Sequence, residues 1–400
     1  MTGTGPGPAL AGDEGEGAPY PRFSPEEMER RRLALEAALA ERGIDQLLAY
    51  GAERSGSAVQ WLTGWPVTRE GAVVLAPGRE PVLVVQFYNH VPNARLLAQG
   101  TEVRWGGAST IGTAIEALRA SGAGLGRIGV IGPFPARLLG PLSAAVGEVV
   151  FLDDAYTGLR LVKSEEELAW VRTGASLTDK AVASLAAGAE VGATETELCA
   201  LIESAYLGSG GVNHIHYLSA TPMSCPASCV PAQWPSRRPL RAGDALVCEV
   251  SASYWGYPGQ LLRTFTVATD PTPLYERLHE VASAALAEML SRLGPGATAA
   301  QVAEGAAVIE DSGFFACDDL LHGFVGGYLP PVIAGPGRPG PGGAGAVPDL
   351  VFEPGMTVVV QPNVVTRDAR AGVQTGELVL VTEEGWAPLH RFPPGLGRIG

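Results

Sequence analysis

The sequence predicts two folded domains of different class, a small α/β domain over residues 21–157 and a larger α+β domain over residues 158–400. Three observations carry this. Four hundred residues at 46% hydrophobic and 18% charged content can bury more than one core. The first third alternates short β-rich runs with helical stretches. The remainder opens with long helices and then offers extended strand pairs, the pattern of an antiparallel sheet with helices on one face.

Residues 1–20 are Gly, Pro and acidic residues with almost nothing to bury, which reads as a disordered tail. Ser24, followed by Pro25 and Glu27, is a capping box with Pro at the first helical position. Met28, Leu33, Leu35, Ala38 and Leu39 roughly follow helical spacing until Gly43 stops the helix. Beyond it come DQLLAYG, GAVVLAPG and PVLVVQF, an amphipathic stretch near 111–120, then RIGVIG and EVVFLD.

The boundary falls near Gly158. A second capping box, Ser164 with Glu167, opens a long helix, and another helix follows Ala193. The strand pairs HIHYLSATP, DALVCEVSASYW and GQLLRTFTVA come next. Helices are predicted at about 274–292 and 298–311, then the strands TVVVQPNVV and GELVLVTEEG. Between them AGPGRPGPGGAGAVP, residues 334–348, is unable to form the interior of a helix or strand. It reads as a disordered insertion or a lid at a pocket mouth.

Composition narrows the function. Twenty-eight basic against 42 acidic residues give a net charge of −14, with no basic block suited to a phosphate backbone, so nucleic acid is not an expected partner. Five cysteines in irregular spacing do not make a disulfide framework, and a reducing cytoplasm fits them. Cys225 and Cys229 have the spacing of half a zinc knuckle, but no second pair follows. The first residues lack the basic and apolar regions of a signal peptide, and no apolar run reaches membrane-spanning length. A soluble protein without membrane association is the expectation.

The motifs LRLVKSEEELAWVR, RPLRAGDALVCEVSASYWGYPGQLLRTF, LLHGFVGGYLPP, FEPGMTVVVQPNVV and GVQTGELVLVTEEG occur in this order over residues 158–390. The chain thereby resembles the pita-bread family of creatinase, Xaa-Pro peptidases and methionine aminopeptidases. The resemblance implies a pita-bread catalytic domain preceded by a creatinase-type N-terminal domain. Peptidases of this family hold two divalent metals with two Asp, one His and two Glu. Carried over residue by residue, the first Asp falls on Glu249, the second on Gln260, and the His on His322. The Glu before Pro falls on Gln361, and the last Glu on Gly376, beside Glu377. A second His of the family falls on Leu329, and its substrate-facing His near Ala232.

Only Glu249 and His322 keep good ligand groups at matched positions; Gln260 and Gln361 are neutral amides that leave two divalent cations short of charge compensation. No metal or other cofactor is therefore expected. Creatinase implies that the fold can work without metal, so Glu249 and His322 are read as acid–base residues, with Gln260 and Gln361 orienting substrate. Creatinase's own catalytic His corresponds to the position near Ala232, so its detailed mechanism does not carry over.

The other candidates have two readings each. His214 and His216 alternate with Ile215 and so share a strand face, lining either the pocket or the edge of the core. Arg263 is a carboxylate anchor or a substrate clamp. Glu377 adjoins a lost ligand but alternates to the opposite face unless a bulge intervenes. The leading function is a metal-independent hydrolase or lyase of a small polar substrate. A metallopeptidase with atypical ligands and a catalytically inactive binding protein are the alternatives. The resemblance to creatinase also implies a homodimer.

Overall fold

A computed structural model describes residues 20–53, 55–335 and 347–400. The N-terminal tail and most of the Gly/Pro-rich segment 334–348 lie outside the described residues. Two compact units divide between Arg160 and Leu161.

The first unit is built on a six-stranded mixed sheet. Its order is Glu102–Trp105, Val82–Val85, Glu70–Leu75, Gln46–Ala52, Arg127–Ile131, Glu148–Phe151. The opening helix Pro25–Glu41 is capped by Ser24, whose hydroxyl accepts from Glu27 N at 3.1 Å. Its buried face differs from the apolar pattern in the sequence. Leu33 is exposed, whereas Arg31 is buried between the Glu27 carboxylate, at 2.6 Å, and the ring of Phe23. A guanidinium is tolerated there because its charge and its flat face both find partners.

In the second unit a long antiparallel sheet runs in the order Tyr328–Ala334, Asp319–Phe324, Thr357–Val360, Gly376–Thr382, Leu261–Val267, Asp244–Tyr254, Val212–Pro222. Helix Glu165–Gly188 starts in a complete capping box, with Ser164 and Glu167 satisfying each other's backbone N–H. It lies so close on the sheet that a Cβ on Gly174 would come within 2.1 Å of the Tyr257 carbonyl oxygen. Only glycine permits that approach. Helix Pro273–Arg292 packs its Leu278, Val281, Ala285 and Met289 with Val358, Val360, Val379 and Val381 of the sheet.

The registers decide which side chains share a face. Glu249 stands opposite Tyr217 and Leu262, Leu262 opposite Gly376, and His322 opposite Val359, which itself faces Leu378. These residues turn away from the face that carries Cys248, Val250, Arg263, Val358 and Val360. One side of the sheet is thus buried under helices, and the other carries Glu249 and His322. Among the described residues no helix is long and apolar enough to cross a membrane.

Candidate active site

Four side chains on the helix-free face form a continuous hydrogen-bonded chain. Gln260 Nε2 donates to Glu249 Oε1 at 2.6 Å, which turns the Gln260 carbonyl Oε1 towards His322 Nε2 at 3.3 Å. On the other side of the imidazole, Nδ1 lies 2.5 Å from Asp319 Oδ2. Asp319 Oδ1 accepts from Gln361 Nε2 at 3.2 Å and from the Tyr328 hydroxyl at 3.4 Å. The Tyr328 ring stacks on His322 with centroids 4.0 Å apart and planes 24° from parallel.

Gln260, His322, Asp319 and Gln361 are buried, while Glu249 is half-buried. Burial pushes the Glu249 carboxyl up to about 7, and the negative charges of Asp319 and Asp318 add to the shift. The hydrogen bond from Gln260 opposes it. Burial, followed by the charges of Asp319, Glu249 and Asp318, raises the Tyr328 phenol above its usual range and keeps it a neutral donor. Both ring nitrogens of His322 face side-chain oxygens, Asp319 Oδ2 on one side and Gln260 Oε1 on the other.

Asp319 belongs to this chain although sequence alternation points elsewhere. In a regular strand residues three apart face opposite ways. A bulge between Asp319 and Leu321 resets the alternation and brings Asp319 to the His322 ring. The sequence places Asp318 and Asp319 just before LLHGF; nothing in it marks the bulge.

Several candidates lie elsewhere. A bulge between Asn213 and Ile215 separates His214 from His216, so the two do not share a face. His216 is buried towards helix Glu195–Leu207, with Nε2 3.0 Å from the Tyr206 hydroxyl, and burial lowers its pKa to about 4. His214 is exposed and meets the edge of Phe324, whose ring also contacts His322. Arg263 and Glu377 pair at 2.6 Å on the helix-covered face. The guanidinium also bonds the carbonyls of Leu262, Gly376, Phe392 and Pro393. Neither residue reaches the polar face, because regular alternation holds through Leu262 and Gly376.

Gly376, onto which the resemblance carries the last family ligand, stands close to its neighbours. A Cβ on Gly376 would lie 2.8 Å from Leu262 Cδ1 and 3.0 Å from Gln361 Cβ. Among the described residues no three His, Cys, Asp or Glu side chains are grouped to hold a cation.

Comparison with known proteins agrees with this architecture. The chain is 24% identical over 366 residues to the uncharacterized peptidase YqhT of Bacillus subtilis (strain 168), covering 88% of this chain and 96% of that protein. The X-Pro aminopeptidase from Thermotoga maritima MSB8 superimposes with a TM-score of 0.79 at 19% identity, over 93% of this chain and 99% of that one. The prolidase from Pyrococcus horikoshii OT3 gives 0.77 at 19% identity, over 92% and 99% respectively. These likenesses show the two-domain pita-bread fold. Because residues 169–383, more than half of the chain, match metallopeptidase family M24 in the unit that carries the sheet and its polar face, the chain belongs to that family.

Proposed function

We propose that this M24 member hydrolyses a C–N bond in a small polar molecule through Glu249 and His322 acid–base chemistry, without a di-metal centre. The observation that carries this reading is the hydrogen-bonded chain Glu249–Gln260–His322–Asp319. The family's description implies divalent metals, and the donor set does not fit a pair of them. Glu249 Oε1 accepts from an amide, both Asp319 oxygens accept hydrogen bonds, and both His322 nitrogens are engaged. Gln260 and Gln361 bring no charge, and Leu262 occupies the space beside Gly376.

A carboxyl poised near 7 exchanges protons efficiently at neutral pH. Glu249 accepts a proton from water as the water oxygen bonds to the carbonyl carbon. The C–N bond then breaks with its electron pair moving to nitrogen, and His322, oriented by Asp319, delivers the proton that nitrogen needs. Gln260 holds the two proton-transfer groups at a fixed separation.

The test is turnover on a panel of dipeptides and small amides, with and without EDTA, on protein purified without chelator. The expected result is chelator-resistant turnover that falls in Glu249→Gln. Turnover abolished by EDTA and restored by added metal, with two cations per chain by elemental analysis, would support an atypical metallopeptidase instead.

A further inference from the structure

His322 is fully buried, and the side chains that meet its ring differ sharply in their own exposure. Asp319 and Gln260 meet its two nitrogens, Phe324 meets it edge-on with centroids 5.6 Å apart, and Tyr328 stacks on its face at 4.0 Å. Asp319, Gln260 and Phe324 are themselves buried, whereas Tyr328 is 47% exposed. Among these partners Tyr328 alone touches both the imidazole and solvent. The way from solvent to the face of His322 therefore leads through the place that the Tyr328 ring occupies.

The hold on that ring is local and light. Beyond the stack, the Tyr328 side chain makes one hydrogen bond, from its hydroxyl to Asp319 Oδ1 at 3.4 Å, which is longer than usual for an O–H donor. Gly326 at φ +63° and Gly327 at φ +133° form the hairpin turn just before it, and the space where a Cβ on Gly327 would stand is empty. Two adjacent glycines give the backbone there its widest freedom. On the other side Leu329 pairs with Gly323, but pairing then skips Pro330 and Pro331 and resumes at Val332 opposite His322. The prolines have no N–H to give to a ladder. Strand Tyr328–Ala334 also stands at the end of the sheet order. Tyr328 thus covers a fully buried residue from the tip of an edge hairpin that has little backbone pairing to resist movement.

We propose that Tyr328 is a gate over His322: its ring closes the imidazole face in the resting chain and swings aside about Gly326 and Gly327 to admit solvent or substrate. The consequence for turnover rests on the hydrolase reading above: the gate shuts the proton-delivering His322 away from bulk water between substrates.

The experiment is hydroxyl-radical footprinting of the full chain read by peptide mass spectrometry, because the radical adds to whichever imidazole face solvent reaches. His214, exposed on the same sheet, is the internal reference. In the wild type His322 should be oxidised measurably but at least about tenfold more slowly than His214, as befits a side chain reached only in a minor open state. Tyr328→Ala should raise the His322 rate at least about fivefold and leave His214 unchanged, since the closed state is then lost. Tyr328→Phe gives up only the hydroxyl bond, remains folded if the alanine variant does not, and should raise the rate about twofold, the range of one weak hydrogen bond. The inference is overturned if the folded variants react no faster at His322 than the wild type. It is equally overturned if wild-type His322 stays unmodified at doses that saturate His214, since the ring then never opens, or if it matches His214, since nothing then closes it. No substrate enters this measurement, so its failure removes the gate and leaves the hydrolase reading standing. Turnover unchanged in Glu249→Gln removes the catalysis and leaves the gate.

Discussion

Glu249 is the residue on which the proposed chemistry and the stability of the second unit meet. Glu249→Gln and His322→Ala should each lose at least about a hundredfold in turnover, the lower end of an acid–base contribution. The double variant should lose little more, because groups that act as a unit are not additive; losses that multiply in steady-state kinetics would mean independent roles. Gln260→Ala should be milder in turnover and heavier in substrate affinity. Stability provides a second readout. Burial raises Glu249 from 4.5 to about 7, so between those values the folded chain holds a proton that the unfolded chain releases. That contribution is fully present below about pH 4.5 and is lost as pH rises through about 7. Glu249→Gln, which stays neutral, should therefore gain stability on the wild type as pH increases from 5 to 8 in urea unfolding. A gap that stays constant across this range contradicts the raised carboxyl. At this scale Glu249, Gln260, His322 and Gln361 were all legible from motif order. Asp319 was not, because its place on the His322 side depends on one bulge.

At the scale of elements, the sheet separates a chemical face from a structural one. Arg263 and Glu377 sit near pocket residues in sequence, yet both turn to the helix side, where the guanidinium ties strands Leu261–Val267 and Gly376–Thr382 to the carbonyls of Phe392 and Pro393. Arg263→Met should cost about 3 kcal/mol in chemical denaturation, the usual penalty for breaking a buried pair by removing one partner. Glu377→Gln should cost less, since the carbonyl contacts remain, and both variants should leave the KM of the identified substrate unchanged in steady-state kinetics. A raised KM in a fully folded Arg263→Met would return the residue to the pocket. Glu377 was a substrate-binding candidate beside the lost ligand, and the unbroken register turns it to the other face instead. Alternation failed for His214 and His216, because the extra residue of a bulge turns one outward and the other under Tyr206. The same limit holds in the opening helix, where the apolar spacing names Leu33 but Arg31 is the buried side chain. Periodicity counts hydrophobic residues and gives no signal for a charge whose partners lie four residues away and across a turn.

The whole molecule is a 41.4 kDa acidic chain of two units, and its net charge of −14 favours the approach of cations over anions at low ionic strength. Its resemblance to creatinase-type enzymes implies a symmetric dimer, so light scattering at micromolar concentration should give twice the chain mass. A monomeric mass would remove that expectation. The sequence by itself determined the helix starts at Ser24 and Ser164, many of the strands, and the family, because caps, strand runs and motif order are local and survive in one dimension. Motif order also suggested, by resemblance alone, that amides stand at two positions where the family carries acidic ligands. Only the tertiary structure decided that those amides join Glu249 to His322, that Asp319 completes the chain, and that Leu262 occupies the space beside Gly376. These are consequences of register and of the bulge before Leu321, set by the packing of one strand on another, and a single inserted residue exchanges the two faces without leaving any mark on composition or spacing.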